Sequence, residues 1–296
     1  MKYFYSFIAL LFPIFSFSQS KISLNCTFSP PESYRISTHT FSQSSQEVSG
    51  NKQNVDAEYI TKYNFNIIDK KDSGYTAELK FKTISYKVKQ QGQTLYFHSD
   101  STNNSVSEKY RSFLSKKLAF FVSRKGKITA LYTLDTLFPD SSDIKTKQLF
   151  SQAVNQKLSE ILPLQIHFPE KPVKLNESWT SNDTDTSDIF LLYDKQYTLD
   201  SLNNSAYFIS EKAKIKSDKN NFISMNRVYI TYDVTGESFS VFKIDKKTGI
   251  ITKGLTKQKM SGKVEMHYTK NGDPAFTWLI NLTNRIKLNS EKTRKP

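Results

Sequence analysis

The feature that most constrains this chain is a side-chain period of two in its C-terminal third. Between Glu237 and Leu288, Phe239-Ser-Val-Phe-Lys-Ile244 leads into Asp245-Lys-Lys-Thr-Gly249 and returns through Ile250-Ile-Thr-Lys-Gly-Leu255. Phe276, Trp278, Ile280, Leu282, Ile286 and Leu288 then all fall on even positions. Such alternation means one packed face and one wet face, the pattern of an antiparallel sheet. An Asp that opens a turn and a Gly that closes it in the left-handed region are what a short hairpin loop requires, so Asp245–Gly249 reads as a turn and not as a recognition motif.

The same period recurs upstream. Val55, Ala57, Tyr59, Thr61, Tyr63, Phe65 and Ile67 alternate without a fault, a stretch too long for a small sandwich. In the partner run Tyr75, Ala77, Leu79, Phe81 and Thr83, the apolar phase then switches to Ile84, Tyr86 and Val88, as a β-bulge would cause. Lys89-Gln-Gln-Gly92 and Ser123-Arg-Lys-Gly126 read as hairpin turns, the second joining Leu118–Val122 to Ile128–Leu134. Further strands are expected at Ile22–Phe28, Tyr34–Phe41, Ile189–Leu199, Ala206–Ile215 and Phe222–Val234. The polar stretches Ser42–Asn54 and Asn182–Asp188 read as loops. All nine glycines fall at or beside expected turns or strand ends, which suits a meander.

One long helix is expected over 143–162, between Pro139 and Pro163. Its apolar stripe contains Leu149, Phe150, Ala153, Val154, Leu158, Ile161 and Leu162. Val106, Tyr110, Phe113 and Leu114 suggest a second, short helix. The predicted fold is mainly β: a large curved antiparallel sheet, a half-barrel-like meander, packed on the long α-helix. It forms one β-rich domain over 19–296, with sheet halves 19–138 and 163–290 joined by helix 143–162.

Compartment follows from the first residues. Lys2, the apolar run Phe4–Phe17 and Ser16-Phe17-Ser18 read as a signal peptide over 1–18, cleaved near Ser18/Gln19, for a periplasmic or secreted protein. No later segment is apolar enough for a transmembrane helix. Cys26 follows Leu24-Asn25, without the small residue of a lipid-attachment site, and as the single cysteine it rules out an intramolecular disulfide. The formal net charge of +14 admits an anionic envelope surface as a partner. Dispersed lysines without a basic run point instead to a solvated surface, and no nucleic-acid-binding motif is present.

Catalytic and metal motifs are missing. There is no Gly-x-Ser-x-Gly elbow, no His-Glu-x-x-His and no phosphate-cradling loop, and His39, His98, His167 and His267 are scattered. His98-Ser99-Asp100 holds triad letters, but neighbours in a strand face opposite ways. No catalytic residue, metal ligand or cofactor is expected. The candidate ligand-facing residues are apolar: Phe276, Trp278, Ile280 and Leu282 of the last strand, Phe150, Val154 and Leu158 of the helix, and Trp179.

Phe120-Phe-Val-Ser-Arg-Lys-Gly-Lys-Ile-Thr-Ala130, Phe168-Pro-Glu-Lys-Pro-Val-Lys-Leu-Asn-Glu-Ser-Trp179 and Phe242-Lys-Ile-Asp-Lys-Lys-Thr-Gly-Ile-Ile251 resemble a family of uncharacterised exported proteins of Gram-negative bacteria. Asn176 stands where a family glycine is expected, in a residue type that tolerates a left-handed turn. The resemblance implies a fold similar to the curved half-barrel of periplasmic lipoprotein carriers and brings no catalytic residue. The function expected first is a non-enzymatic structural or interaction module of the cell envelope. The alternative is a periplasmic carrier of an apolar small molecule, a lipid or acyl chain; a hydrolase-type enzyme comes third.

Overall fold

A computed structural model describes residues 20–48, 50–101, 114, 117–130, 166–185, 190–218, 221–225, 228–270 and 272–293. Their strands are β1 (Glu32–Val48), β2 (Asn51–Lys71), β3 (Gly74–Gln90), β4 (Gln93–His98), β5 (Leu118–Ser123), β6 (Ile128–Ala130) and β7 (Ser178–Asp185). These are followed by β8 (Leu191–Leu202), β9 (Ala206–Ser217), β10 (Ile223–Met225), β11 (Val228–Asp245), β12 (Ile251–His267) and β13 (Phe276–Lys292). All thirteen join one antiparallel sheet in the order β6-β5-β3-β2-β1-β13-β12-β11-β9-β8-β7, with β4 on β3 and β10 on β11.

The sheet is strongly curled. Eight strand spacings separate β5 from β8 in this order, about 38 Å if the sheet were flat. Yet Phe120 and Val122 of β5 share one hydrophobic core with Tyr197 and Leu199 of β8. Two extended segments, 20–28 and 166–175, cross the end where the edges approach. Phe168 N donates to Lys125 O at the β5–β6 turn (3.0 Å), while the neighbouring carbonyl of His167 accepts from Trp179 Nε1 on β7 (2.8 Å). One strap thus holds both edges of the sheet. The segment 20–28 adds Cys26 N to Arg124 O (2.7 Å), Thr27 N to Thr248 O (2.9 Å) and a two-bond bridge between Ile22 and Val173. Its Leu24, Cys26 and Phe28 point into the core, as their alternation requires. We call this end the base and the opposite end, with the β1–β2, β3–β4 and β12–β13 turns, the rim.

The expected packing of the sheet on one long helix is overturned. Apart from the single helical residue Leu114, the described residues form strands, turns and extended chain, and at the base the core is closed by Leu24, Cys26, Phe28, Ile166, Phe168 and Val173 from the two extended segments. A strongly curled sheet turns its inward face on itself, which brings these extended segments against side chains from both flanks. The stretch 143–162 lies outside the described residues, and of the short helix only Leu114 lies within them, half-buried against the core.

Two expected loops are strand. β1 and β2 pair without a break from Glu32↔Ile67 to Val48↔Asn51, straight through Ser42–Asn54. β7 pairs with β8 over Ser178–Asp185 and takes in the first four residues of Asn182–Asp188. Ladder hydrogen bonds are made by backbone and do not need apolar side chains. Gly236, Gly254 and Gly262 lie inside β11 and β12, not at turns. A Cβ on Gly236 would lie 2.6 Å from Met260 Cγ, and one on Gly262 2.6 Å from Val234 Cα, so these glycines permit the close approach of two coiled strands. The expected bulge is present: Lys62 pairs with Thr83 and Tyr63 with Phe81, leaving Lys82 as the extra residue. Asn176 adopts φ 63°, the left-handed turn open to it.

The core suggests two stability tests. Tyr63 is fully buried, 6.0 Å from the Phe81 ring, with no partner for its hydroxyl among the described residues. Tyr63→Phe should raise stability by about 1 kcal/mol in urea unfolding, since a buried unpaired hydroxyl is removed. Gly249 has φ 74° and backs onto the Asn25 carbonyl. Gly249→Ala should cost about 2 kcal/mol through backbone strain and a lost approach, and should speed proteolysis before Phe28.

Candidate functional site

The inward face of the sheet changes character from base to rim. Just above the base, Leu199, Ile209, Phe242, Gly254 and Leu288 form a lateral row that belongs to the main core, Gly254 excepted. The next row runs Tyr197, Glu211, Ser240, Thr256, Ile286 and Thr40 across β8, β9, β11, β12, β13 and β1. Above it stand Lys195, Ala213, Ser238, Gln258, Asn284 and Ser42. One row higher the apolar character returns with Tyr193, Ile215, Met260 and Leu282. There a second, smaller cluster forms from Leu191, Ile215, Val234 and Met260, with Tyr193, Ile280 and Leu282 packed on it. Two polar rows therefore separate two apolar layers on one face.

At their centre the polar rows are buried and bonded. Ser240 is 1% exposed and Glu211 6%. Ser240 Oγ donates to Glu211 Oε1 (3.1 Å) and accepts from Thr256 Oγ1 (2.9 Å). Asn284 Nδ2 donates to Gln258 Oε1 (2.9 Å), and Gln258 Nε2 donates to Tyr193 Oη (3.3 Å). Asn284 Oδ1 is buried and has no donor among the described residues. Burial pushes the Tyr197 phenol well up, reinforced by the Glu211 and Asp183 charges, so it remains a neutral hydroxyl.

On β7 and β8 the rows end in a charged cluster. Lys195 Nζ lies 2.7 Å from Asp183 Oδ2, and His167 Nδ1 lies 3.4 Å from Asp183 Oδ1. Burial, the largest influence, holds the His167 imidazole below its ordinary value despite the Asp183 charge. The ring is thus neutral at pH 7, and Lys195 is the charge that answers Asp183. Trp179 stacks on Tyr197 beside this cluster, with ring centroids 5.5 Å apart and planes at 19°.

The residues expected to face a ligand are dispersed by the fold. Ile280 and Leu282 meet on the upper apolar cluster. Trp278 is half-buried two residues nearer the rim, and Phe276 is 50% exposed at the rim itself. Trp179 belongs to the base, against the main core. Phe150, Val154 and Leu158 lie outside the described residues. What the apolar series passes over is its own interruption: Asn284 sits in the inward phase between Leu282 and Ile286, and Ser240, Thr256 and Gln258 break the inward phase of β11 and β12 in register with it. A polar residue at an inward position was the available signal.

Other chemistry-bearing groups have structural roles. Burial pushes the Cys26 thiol up to about 12, with Lys125 opposing, so it is no nucleophile at neutral pH. Ser99 Oγ accepts from Ile84 N (3.2 Å) and donates to Asp100 Oδ1 (3.3 Å), a turn network without a serine–histidine contact. Asp245 Oδ2 accepts from Thr248 N (3.0 Å) and Oγ1 (2.8 Å), which closes the expected hairpin turn. Among the described residues no group of three or more His, Cys, Asp or Glu side chains is placed to hold a metal, and no helix is long and apolar enough to cross a membrane.

A family model described as a family of unknown function, DUF6263, matches residues 72–251, a stretch that contains all three segments behind the sequence resemblance to an uncharacterised family. No curated protein matches the chain. Among solved structures, an outer membrane channel from Pseudomonas putida F1 aligns at 7% identity over 88% of this chain and 97% of its own, with a TM-score of 0.27. Pseudomonas aeruginosa OccK5 aligns at 6% identity over 89% and 99%, TM-score 0.23. A DUF1329 family protein from Desulfovibrio piger aligns at 7% over 86% and 83%, TM-score 0.13.

The site yields a pH test with a definite sign. For His167 the folded value lies below the unfolded one, so the unfolded chain binds the proton more tightly. Its contribution is present above the ordinary histidine value of about 6.5 and is lost as pH falls through that value toward the folded one. Urea unfolding between pH 8 and 5 should show this decline, and His167→Asn should flatten it.

Proposed function

We propose that this chain, which belongs to that family of unknown function, is a non-enzymatic binder that seats an amphiphilic molecule on the inner face of its sheet. The apolar part would lie on Met260, Leu282 and Ile280, and the polar part on the rows of Gln258, Asn284 and Ser240. Residues 1–18, read as a signal peptide, make it a protein that works after export, in the periplasm or outside the cell.

The observation that carries the reading is the Asn284 carbonyl, buried one row below an apolar cluster and without a donor among the described residues. A buried acceptor without a donor costs about 1–3 kcal/mol. The buried polar side chains Glu211, Ser240 and Gln258 between apolar layers likewise do nothing for stability that apolar side chains of similar volume would not do as well. An arrangement that stability disfavours and curling does not require is best explained by a ligand. The chemistry narrows it: an open acceptor calls for a hydrogen-bond donor, and the Glu211 carboxylate in the adjoining row repels an anionic head. A hydroxylated or amine-bearing amphiphile fits better than a free fatty acid.

The test is fluorescence titration of purified protein with a pyrene-labelled monoacylglycerol and with the matching fatty acid. Saturable binding is expected for the monoacylglycerol and weaker binding for the acid. Leu282→Asp should abolish it, and Asn284→Leu should weaken it about tenfold, the worth of one buried hydrogen bond, without loss of stability. Absence of saturable binding of either probe by the wild type would overturn the reading. The exposed rim residues Leu95, Tyr96, Tyr268, Phe276 and Leu279 would then favour an interaction module.

A further inference from the structure

The outward face of the sheet gathers charge that the linear sequence disperses. On β9, β11, β12 and β13, the outward row opposite the polar band reads Lys212, Phe239, Lys257 and Arg285, and continues to Phe41 on β1. The row toward the rim reads Lys214, Glu237, Lys259 and Thr283, and the row toward the base Ser210, Val241, Leu255 and Lys287. Six cations thus face one carboxylate across these three rows. All six are exposed and none forms an ion pair with a described residue. On β2 the sign changes, with Asp56 and Glu58 outward, so the basic area is bounded by β1.

Two features set this patch apart from an ordinary solvated surface. Lysines that guard a sheet against aggregation belong on its edges, whereas β11, β12 and β13 are interior strands with both sides paired. Lys257 and Arg285 also stand directly opposite each other, a like-charge cross-strand pair that destabilises the sheet. Among the cations, Phe239, Val241 and Phe41 are 45%, 41% and 46% exposed. Exposed aromatic and aliphatic side chains ringed by lysines are suited to an interface whose outer layer is anionic and whose next layer is apolar.

We infer that this convex face docks on an anionic phospholipid bilayer, with the lysines and Arg285 on headgroup phosphates and Phe239, Val241 and Phe41 at the acyl boundary. The apolar residues distinguish a bilayer from a soluble polyanion, which would satisfy the cations and leave them in water. The inference uses the outward face alone and does not depend on a ligand inside.

The experiment is co-flotation of the purified protein with vesicles of mixed phosphatidylglycerol and phosphatidylcholine, and with vesicles of phosphatidylcholine alone. Binding is expected to the mixed vesicles only, and it should fall as salt is raised. Lys257→Glu combined with Arg285→Glu should weaken it by about thirtyfold or more, since losing two cations near a charged surface removes that much before the added repulsion. Phe239→Ser should weaken it at every salt concentration. Leu282→Asp, on the inner face, should leave it intact. Equal binding to both vesicle types, or undiminished binding by the charge-reversed variant with its melting temperature unchanged, would overturn the inference. So would heparin binding as tight as vesicle binding together with an unaffected Phe239→Ser variant, which would make a soluble polyanion the occupant.

Discussion

Everything in this fold depends on holding the two edges of a curled sheet together at one end. A sheet of this size with free edges would expose unpaired backbone groups on both sides. Here the approach of β6 and β7 is fixed by a few extended residues: the His167 carbonyl takes the Trp179 indole N–H, the Phe168 amide reaches the Lys125 carbonyl, and Lys125 Nζ donates to the carbonyls of Pro169 and Leu24. The segment 20–28 is laid over the same place. The β5–β6 turn, the strap and the β11–β12 turn all meet there, and they are the three segments on which the family resemblance rests.

With the base closed, the rest of the inward face is relieved of the task of making a core. That is why it can afford polar rows at Glu211, Ser240, Gln258 and Asn284, and why the second apolar cluster around Met260 stands alone. The two faces also divide labour by parity. Along β12, even positions give Thr256, Gln258, Met260 and Val264, whereas odd positions give Lys253, Lys257, Lys259 and Lys263. One strand thus contributes to an inner apolar-polar gradient and an outer basic field at once.

The sequence disclosed those parts of the fold that rest on local rules. Alternation identified β2, β3 and β13, the phase switch after Thr83 announced a bulge whose extra residue is Lys82, and Asp245, Gly249 and Asn176 announced their turns. It misread Ser42–Asn54 and the start of Asn182–Asp188 as loops, because polar residues in both phases look like loop when strand pairing is invisible. It also could not show the base, which is made by contacts such as Ile22 with Val173 between residues far apart in the chain. The polar rows escaped for a related reason. Asn284 alone is an ordinary exception in an apolar series, and only the register with Gln258, Ser240 and Glu211 turns four exceptions into a band.

The placement of β13 has a consequence for how such a chain reaches its native state. This strand lies in the middle of the sheet, between β1 and β12, and pairs Tyr34 with Lys292. It is also the last of the described strands to be synthesised. Until it arrives, β1 and β12 each present a bare edge of some seventeen residues, and the two flanks of the wall are separate bodies. Loop closure over nearly the whole chain precedes the reward of pairing, so assembly is slow and the waiting edges invite intermolecular pairing. A chain interrupted before Phe276 would thus lack the central seam of the sheet, and cellular quality control would face two aggregation-prone flanks in place of one wall.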